Sequence, residues 1–160
     1  MAFEKSDPDR ESNSAPTPSP IDDFVERDHV LPSGLAYSSQ TGRMVLRQES
    51  SADGKAGEFK AKAEIFMVSY VAERQTPQPR PVVFAFNGGP GSSSVWLHMG
   101  LLGPRLVDSG DVGAMKPAPF GIVDNDETIL EHADLVLIDP VNTGFSRVVD
   151  GGKADEFHSF

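Results

Sequence analysis

The sequence predicts an α/β domain, in which strands of one sheet alternate with helical segments. Two short apolar runs, 82–86 (VVFAF) and 134–139 (DLVLID), read as strands, and each leads into a turn-rich loop. An apolar segment at 95–102 follows the first loop and reads as a helix. Ligands of such sheets bind at the carboxyl ends of the strands. The loops 87–94 and 139–147 are therefore the first candidate site.

Composition excludes several classes of function. The chain has 160 residues, enough for one domain with a core, and a formal net charge of −10. Such an acidic chain repels phosphate backbones, so nucleic acid is not expected as a partner. The absence of cysteine excludes disulfides, thiolate zinc sites and a cysteine nucleophile. No apolar run approaches the roughly 20 residues of a membrane span, so none is expected.

The beginning of the chain is polar and rich in Pro and Ser. We expect residues 1–29 to form a disordered tail and residues 30–160 to form the domain. No apolar stretch typical of a secretory signal occurs near the start. If Met1 is the native start, the expected location is cytoplasmic; otherwise the sequence leaves it open.

The first elements after the tail are predicted to be strands. Residues 35–48 (LAYSSQTGRMVLRQ) predict two short strands, a leading β-hairpin, around a turn at Thr41 and Gly42. Residues 59–73 predict a longer strand, and the Pro-rich segment 75–81 predicts a connector. Because 82–86 is apolar on both faces, it predicts a central strand covered on both sides.

The elements after the first loop follow from capping and breaking residues. Ser92 or Ser93 is expected to cap a buried helix over 95–102, with Trp96 in the core. The Gly-Pro pair at 103–104 ends that helix. Residues 128–133 (TILEHA) predict a helical turn with an Asp cap from 124–127 (DNDE), and we favour this role for these acids over a cation site.

The loop 87–94 (NGGPGSSS) contains more Gly and Pro than a plain tight turn requires. A dinucleotide fingerprint fits poorly, because Pro90 interrupts the turn and Ser94 replaces the third glycine. A phosphate-binding P-loop fails, because no Gly-Lys-Ser/Thr follows. No cofactor is therefore expected. The best fit is an oxyanion hole, since glycines let a carbonyl approach rigid backbone N–H donors.

Residues 87–107 (NGGPGSSSVWLHMGLLGPRLV), followed by 133–147 (ADLVLIDPVNTGFSR), resemble the serine carboxypeptidase family, most closely its bacterial cathepsin A/carboxypeptidase C-like branch. The likeness covers roughly 30–160, as the N-terminal part of the catalytic domain. It implies an α/β-hydrolase fold, with a mostly parallel, doubly wound sheet that is incomplete in this chain. It also implies hydrolysis of peptide substrates at their C-terminus by a Ser-Asp-His triad.

The resemblance also implies roles for individual residues. Gly88 and Gly89 match the oxyanion hole, Gly89 by its N–H and Gly88 by shaping the loop. Asn87 matches the residue whose side-chain amide binds the terminal carboxylate of the substrate. Asn142 stands where the family usually has Gly.

Three further positions depart from the family. Leu101 replaces an acidic residue that helps to bind the carboxylate, and Ala85 replaces a common Trp. These two departures leave strict exopeptidase specificity open. Ser92 stands where secreted members have a disulfide-bonded Cys, which argues against the secreted type.

No catalytic triad residue is expected in this chain. The nucleophile elbow Gly-x-Ser-x-Gly does not occur, since Ser93 and Ser146 have Gly only on the preceding side. The family's elbow, Asp and His are expected downstream, so the chain alone should be inactive. The four histidines read as surface or packing residues and not as bases or metal ligands: His29, His98, His132 and His158.

Two alternatives to the carboxypeptidase remain open. One is a proline iminopeptidase-type hydrolase, whose corresponding loop is usually His-Gly-Gly-Pro-Gly. The other is a truncated product without catalytic function. For the carboxypeptidase and for both alternatives, an incomplete sheet would expose an unpaired edge, so we expect poor solubility or self-association of the isolated chain through that edge.

Overall fold

The computed structural model describes residues 19–49, 57–73, 76–88, 91–111 and 113–157. Its strands are β1 (Asp23–Val30), β2 (Ala36–Glu49), β3 (Phe59–Ala72), β4 (Val82–Ala85), β5 (Arg105–Asp108), β6 (Gly110–Asp111), β7 (Ala114–Met115), β8 (Gly121–Asp124), β9 (Asp134–Ile138) and β10 (Arg147–Val148). One short helix, α1 (Val95–Leu97), continues into a π-helical turn at His98–Leu102. Single 3-10 turns lie at Ile129–Glu131 and Ala154–Phe157.

The main sheet is mixed. Its strand order is β1-β2-β3-β9-β4, and β10 pairs with β3. Strands β4 and β9 are parallel, whereas the other pairs described in this sheet are antiparallel. The predicted mostly parallel sheet is therefore wrong for the described residues. Strands β4 and β9 are separated by a long connection that contains the helix, as a parallel pair requires.

Strand β1 lies inside the segment predicted to be a tail. All eight of its residues pair with β2, from Asp23 opposite Arg43 to Val30 opposite Ala36. The predicted boundary at residue 29 is therefore wrong, while residues 1–18 lie outside the described residues. Seven of the eight β1 side chains are exposed, as in an edge strand held by its backbone ladder. Its polar sequence therefore lacks the pattern of burial that identifies a strand.

Strand β2 is continuous through Thr41 and Gly42, so the turn predicted there is wrong. The irregularity in its pairing with β3 lies between Leu46 and Arg47 instead. Gly42 pairs with Phe24 of β1. A Cβ at Gly42 would collide with the Asp23 carbonyl oxygen and lie 2.7 Å from the Phe24 Cα. The glycine therefore permits close approach of β1, not chain reversal.

Replacing Gly42 with alanine should lower the free energy of unfolding by about 1–3 kcal/mol, because backbone atoms of β1 must move to admit the methyl group. The matched control is Gly121→Ala in β8, where a Cβ would meet nothing within 4 Å. That control should change stability by less than about 0.5 kcal/mol. Urea denaturation measures both, and equal values for the two variants would contradict the close-approach explanation.

Buried apolar residues form two clusters. The first joins the chain around β2 to the 3-10 turn: Leu31, Leu35, Tyr37, Ala72 and Leu130. The second lies under β4 and β9: Ala85, Leu135 and Leu137, with partly buried neighbours that include Leu97, Leu102 and Ile129. The second cluster supports the loops that follow both strands.

The apolar helix is less buried than its sequence predicts. The Trp96 side chain is 71% exposed, and Val95 and Leu101 are also exposed. Only the face with Leu97 and Leu102 packs on the sheet. The prediction of a buried helix with Trp96 in the core is therefore wrong for the described chain, because no described element covers the opposite face.

Strand β4 also differs from its prediction as a covered central strand. It stands at the end of the described strand order, and Phe84 and the following Phe86 are each 64% exposed. Ala85 is the buried residue of the strand. Among the described residues, no helix has both the length and the apolar character needed to cross a bilayer.

Candidate functional site

The two candidate loops meet at one edge of the sheet, as the sequence predicts. Because β4 and β9 are parallel and adjacent, with Ala85 opposite Leu137, their carboxyl ends lie side by side. The loops also bond to each other directly. The Ser94 backbone N–H donates to Asp139 Oδ1 at 2.8 Å, and the Ser94 hydroxyl donates to the Ile138 carbonyl oxygen. The two loops therefore form one structural unit.

Asp139 connects the two loops, and the sequence analysis did not single it out. It directly follows β9 and is 6% exposed. Its Oδ2 accepts a hydrogen bond from the Phe145 backbone N–H at 3.1 Å, so its carboxylate bonds to both loops. The available signal was an acidic residue at the end of an apolar strand, inside the motif that carries the family resemblance.

The loop after β9 contains two residues with positive φ. Asn142 has φ 67°, a conformation that Asn and Gly adopt more readily than other residues. This explains how Asn can stand where the family usually has Gly. Gly144 has φ 47°, and a Cβ there would collide with the Asp139 carboxylate and lie 2.9 Å from the Ser93 Cβ. Only glycine fits between the two loops at this point.

The residues predicted to bind substrate lie in the first loop. Asn87 is partly exposed, and its side chain has no hydrogen-bond partner among the described residues. A Cβ at Gly88 would meet nothing within 4 Å, so the space beside this backbone is open. Gly91 has φ 90°, which L side chains rarely adopt. Gly89 and Pro90 lie outside the described residues, so the role of Gly89 stays a prediction.

The serines of this edge have structural roles. The N-cap position of the helix is occupied by Ser94, not by Ser92 or Ser93. The Ser94 side chain makes no capping hydrogen bond to the helix. The Ser94 hydroxyl is held by β9 instead, which is why the cap prediction is wrong. Ser146 is fully buried, donates to the Asp139 carbonyl oxygen at 2.7 Å and accepts from the Phe66 N–H at 2.8 Å.

A partly buried Tyr–His pair connects the helix to the sheet. The Tyr70 hydroxyl and His98 Nε2 are 2.6 Å apart. Burial lowers the pKa of His98, and the negative charge of Asp139 opposes this in part. Burial, with a smaller contribution from Tyr37, raises the pKa of Tyr70 to about 12. Both side chains are therefore neutral at pH 7.

These shifts predict how stability depends on pH. In the unfolded chain the pKa of His98 is near 6.5, and in the folded protein it is lower. The stability that neutral His98 contributes is therefore fully present above pH 6.5 and is lost as the pH falls through the folded pKa. The stability that the neutral Tyr70 hydroxyl contributes is lost as the pH rises from about 10 to about 12. Urea denaturation from pH 5 to 8 should show the acid loss in the wild type and in His132→Gln, but not in His98→Gln. An identical acid loss in His98→Gln would contradict the assignment.

Two further histidines lie among the described residues, outside the two candidate loops. His29 bonds to the Ser39 hydroxyl at 2.8 Å, His132 is exposed, and His158 lies outside the described residues.

Around the 3-10 turn, Thr128 Oγ1 accepts from Leu130 N–H and Asn125 Oδ1 accepts from Glu127 N–H. The predicted Asp cap is therefore wrong, since Thr128 caps the 3-10 turn and Asn125 holds the bend before it. In the described part of the chain, no three His, Asp or Glu residues cluster as metal ligands.

Comparison with known proteins agrees with the motifs at this edge. No curated protein matches the chain significantly. The sequence model of the serine carboxypeptidase family matches residues 55–156, more than half of the chain, and the match includes both loops. The chain belongs to the serine carboxypeptidase family.

Proposed function

We propose that this chain supplies the substrate-recognition loop of an α/β-hydrolase-type serine carboxypeptidase, an enzyme that hydrolyses the C-terminal peptide bond of its substrate. One observation carries the proposal: the described parts of the family's Gly-rich loop, residues 87–88 and 91–94, lie at the carboxyl end of the parallel pair β4 and β9. Ligands of α/β sheets bind at this position. Membership of the serine carboxypeptidase family supports the peptide-hydrolase part of the proposal.

The loop would act by backbone and amide hydrogen bonds. The N–H of Gly89, in a loop shaped by Gly88, would donate to the carbonyl oxygen of the scissile bond as negative charge develops there. The open space beside Gly88 lets a substrate approach the backbone. The Asn87 amide would donate to the terminal carboxylate, and its lack of a described internal partner leaves it available for this bond.

The nucleophile would come from sequence beyond these 160 residues. The chain contains no Gly-x-Ser-x-Gly elbow. Ser146, one of the two serines preceded by Gly at the elbow spacing, is fully buried with its hydroxyl bonded on both sides. Exposed apolar side chains flank the loop, with Phe84 and Phe86 before it and Trp96 after it. Further protein that completes the catalytic domain would cover them.

A fluorophosphonate probe tests the catalytic part of the proposal. The isolated 160-residue chain should show no covalent labelling, because an oxyanion loop without an activated serine does not react. A commercial serine carboxypeptidase in the same reaction serves as the positive control. Labelling of any serine in the chain would overturn the proposal that the nucleophile lies elsewhere.

Peptide binding tests the recognition part. We expect an N-acetyl peptide with a free carboxylate to shift the NMR signals of the Asn87 side-chain amide and the Gly88 N–H. The same peptide with a C-terminal amide should not shift them, and Asn87→Leu should lose the difference between the two peptides. Binding of a peptide with a free amino group and an amidated C-terminus would instead support the iminopeptidase alternative and overturn the carboxylate role of Asn87.

A further inference from the structure

We propose that Asp139 is a positioning residue that holds the loop 87–94 in its working shape, by fixing the end of that loop on β9. The inference rests on the proposed function of the loop. Asp139 would touch no substrate and would act through the backbone of residues 87–94. The sequence motif that contains it does not by itself indicate this role.

The strand before the loop and the last residue of the loop are both fixed on consecutive residues, Leu137 to Asp139, at the end of β9. At its start, Ala85 pairs with Leu137 in the parallel ladder. At its end, Ser94 donates its backbone N–H to Asp139 and its hydroxyl to the Ile138 carbonyl oxygen. The distance that the loop must span is therefore set by β9 and by the Asp139 side chain.

Asp139 is itself held rigidly. Its N–H donates to the Phe66 carbonyl oxygen at 3.0 Å, and its own carbonyl oxygen accepts from the Ser146 hydroxyl at 2.7 Å. Its second carboxylate oxygen accepts from the Phe145 N–H. Among the described residues, no Lys or Arg forms an ion pair with Asp139. The buried carboxylate therefore accepts charge-assisted hydrogen bonds from the backbones of the two loops.

The loop needs such an external constraint. It contains Gly88, Gly89 and Gly91, and glycine has the largest backbone freedom of any residue. An oxyanion donor works only when it lies about 2.7–3.1 Å from the developing charge. The Ser93 Cβ also lies at this junction, 2.9 Å from the position that a Cβ at Gly144 would take. Asp139 thus couples the geometry of the loop to the rigid sheet.

The test compares the two carboxylates at opposite ends of β9. Asp139→Asn leaves one acceptor for two N–H donors, whereas Asp134→Asn alters a carboxylate that bonds to Arg80 and Ala72 and not to the loop. We expect the ¹⁵N order parameters of Gly88 and Gly91 to fall below about 0.6 in Asp139→Asn and to stay near about 0.85 in the wild type and Asp134→Asn. Order parameters that remain high in a folded Asp139→Asn protein would overturn the proposal.

A second pair of variants covers the case that Asp139→Asn does not fold. Gly144→Ala keeps the carboxylate but pushes against it, whereas Gly34→Ala introduces a similar positive-φ strain into open space. Loss of order at Gly88 and Gly91 is expected in Gly144→Ala alone. Equal order in both alanine variants would contradict the positioning role.

Peptide titration separates this inference from the proposed function. If both hold, Asp139→Asn should bind the free-carboxylate peptide several-fold more weakly than Asp134→Asn does. If the loop loses order but the wild-type chain shows no preference for the free carboxylate, the positioning role stands and the proposed recognition function is overturned. If the preference exists and the loop keeps its order in Asp139→Asn, the reverse holds.

Discussion

Replacing Asp134 with alanine is expected to lower the free energy of unfolding by about 3 kcal/mol. Asp134 Oδ1 accepts from Arg80 Nε at 3.0 Å and from the Ala72 backbone N–H at 3.1 Å. The Arg80 and Asp134 side chains are 19% and 13% exposed. Alanine would leave a largely buried guanidinium with the Leu130 carbonyl oxygen as its one partner among the described residues, together with an unpaired N–H at the end of β3.

Two controls identify the cause of this loss. In Arg80→Met/Asp134→Ala no charge is left unpaired, so this double variant should regain part of the lost stability. The exposed pair Arg105–Asp124 has side chains 57% and 50% exposed, so Asp124→Ala should change stability by less than about 1 kcal/mol. Urea denaturation measures all three variants. Equal losses for Asp134→Ala and Asp124→Ala would contradict the role given to burial.

The sequence predicted the strands whose burial leaves a pattern in the chain. Strands β3, β4 and β9 lie where the apolar runs 59–73, 82–86 and 134–139 placed them, to within one residue at each end. Strand β1 was missed because an edge strand with exposed side chains has no apolar pattern. Gly42 was misread because turn and close-approach glycines look alike until the neighbouring strand is known.

The site was predicted in position but not in its contacts. Strand-then-loop order is written in the chain, so the meeting of residues 87–94 with 139–147 followed from general rules of α/β sheets. The bond from Ser94 to Asp139 joins residues 45 positions apart, and no local pattern encodes it. For the same reason Ser92 and Ser93 were mistaken for caps, because the cap position depends on how β9 holds Ser94.

Strand β9 carries a carboxylate at each end. Asp134 begins the strand and accepts an N–H from β3, and Asp139 follows the strand and accepts N–H groups from both loops. Each carboxylate connects β9 to elements distant in sequence. The first secures the fold and the second, by our inference, secures the loop. Variants at Asp134 should therefore change mainly the free energy of unfolding, and variants at Asp139 mainly the order of the loop.

Between these carboxylates lies the residue for which we expect the largest core effect. Leu135 is fully buried, opposite Tyr70 of β3 and Val83 of β4. Leu135→Ala should lower the free energy of unfolding by about 3–4 kcal/mol, because the transfer free energy is lost and a cavity remains between paired strands. The midpoint of urea denaturation measures this, with an unchanged slope indicating that the unfolded state is unaffected.

Two variants distinguish a cavity from general loss of apolar surface. Leu135→Met nearly conserves the side-chain volume and should lower the free energy of unfolding by less than about 1.5 kcal/mol. Leu46 of β2 is 41% exposed, so Leu46→Ala should lower it by less than about 1 kcal/mol. Leu135 shares its cluster with Leu97 and Leu102, which hold the helix after the loop. If Leu135→Ala were as mild as Leu46→Ala, β9 would not be the support of this site, and the positioning role of Asp139 would lose its rigid base.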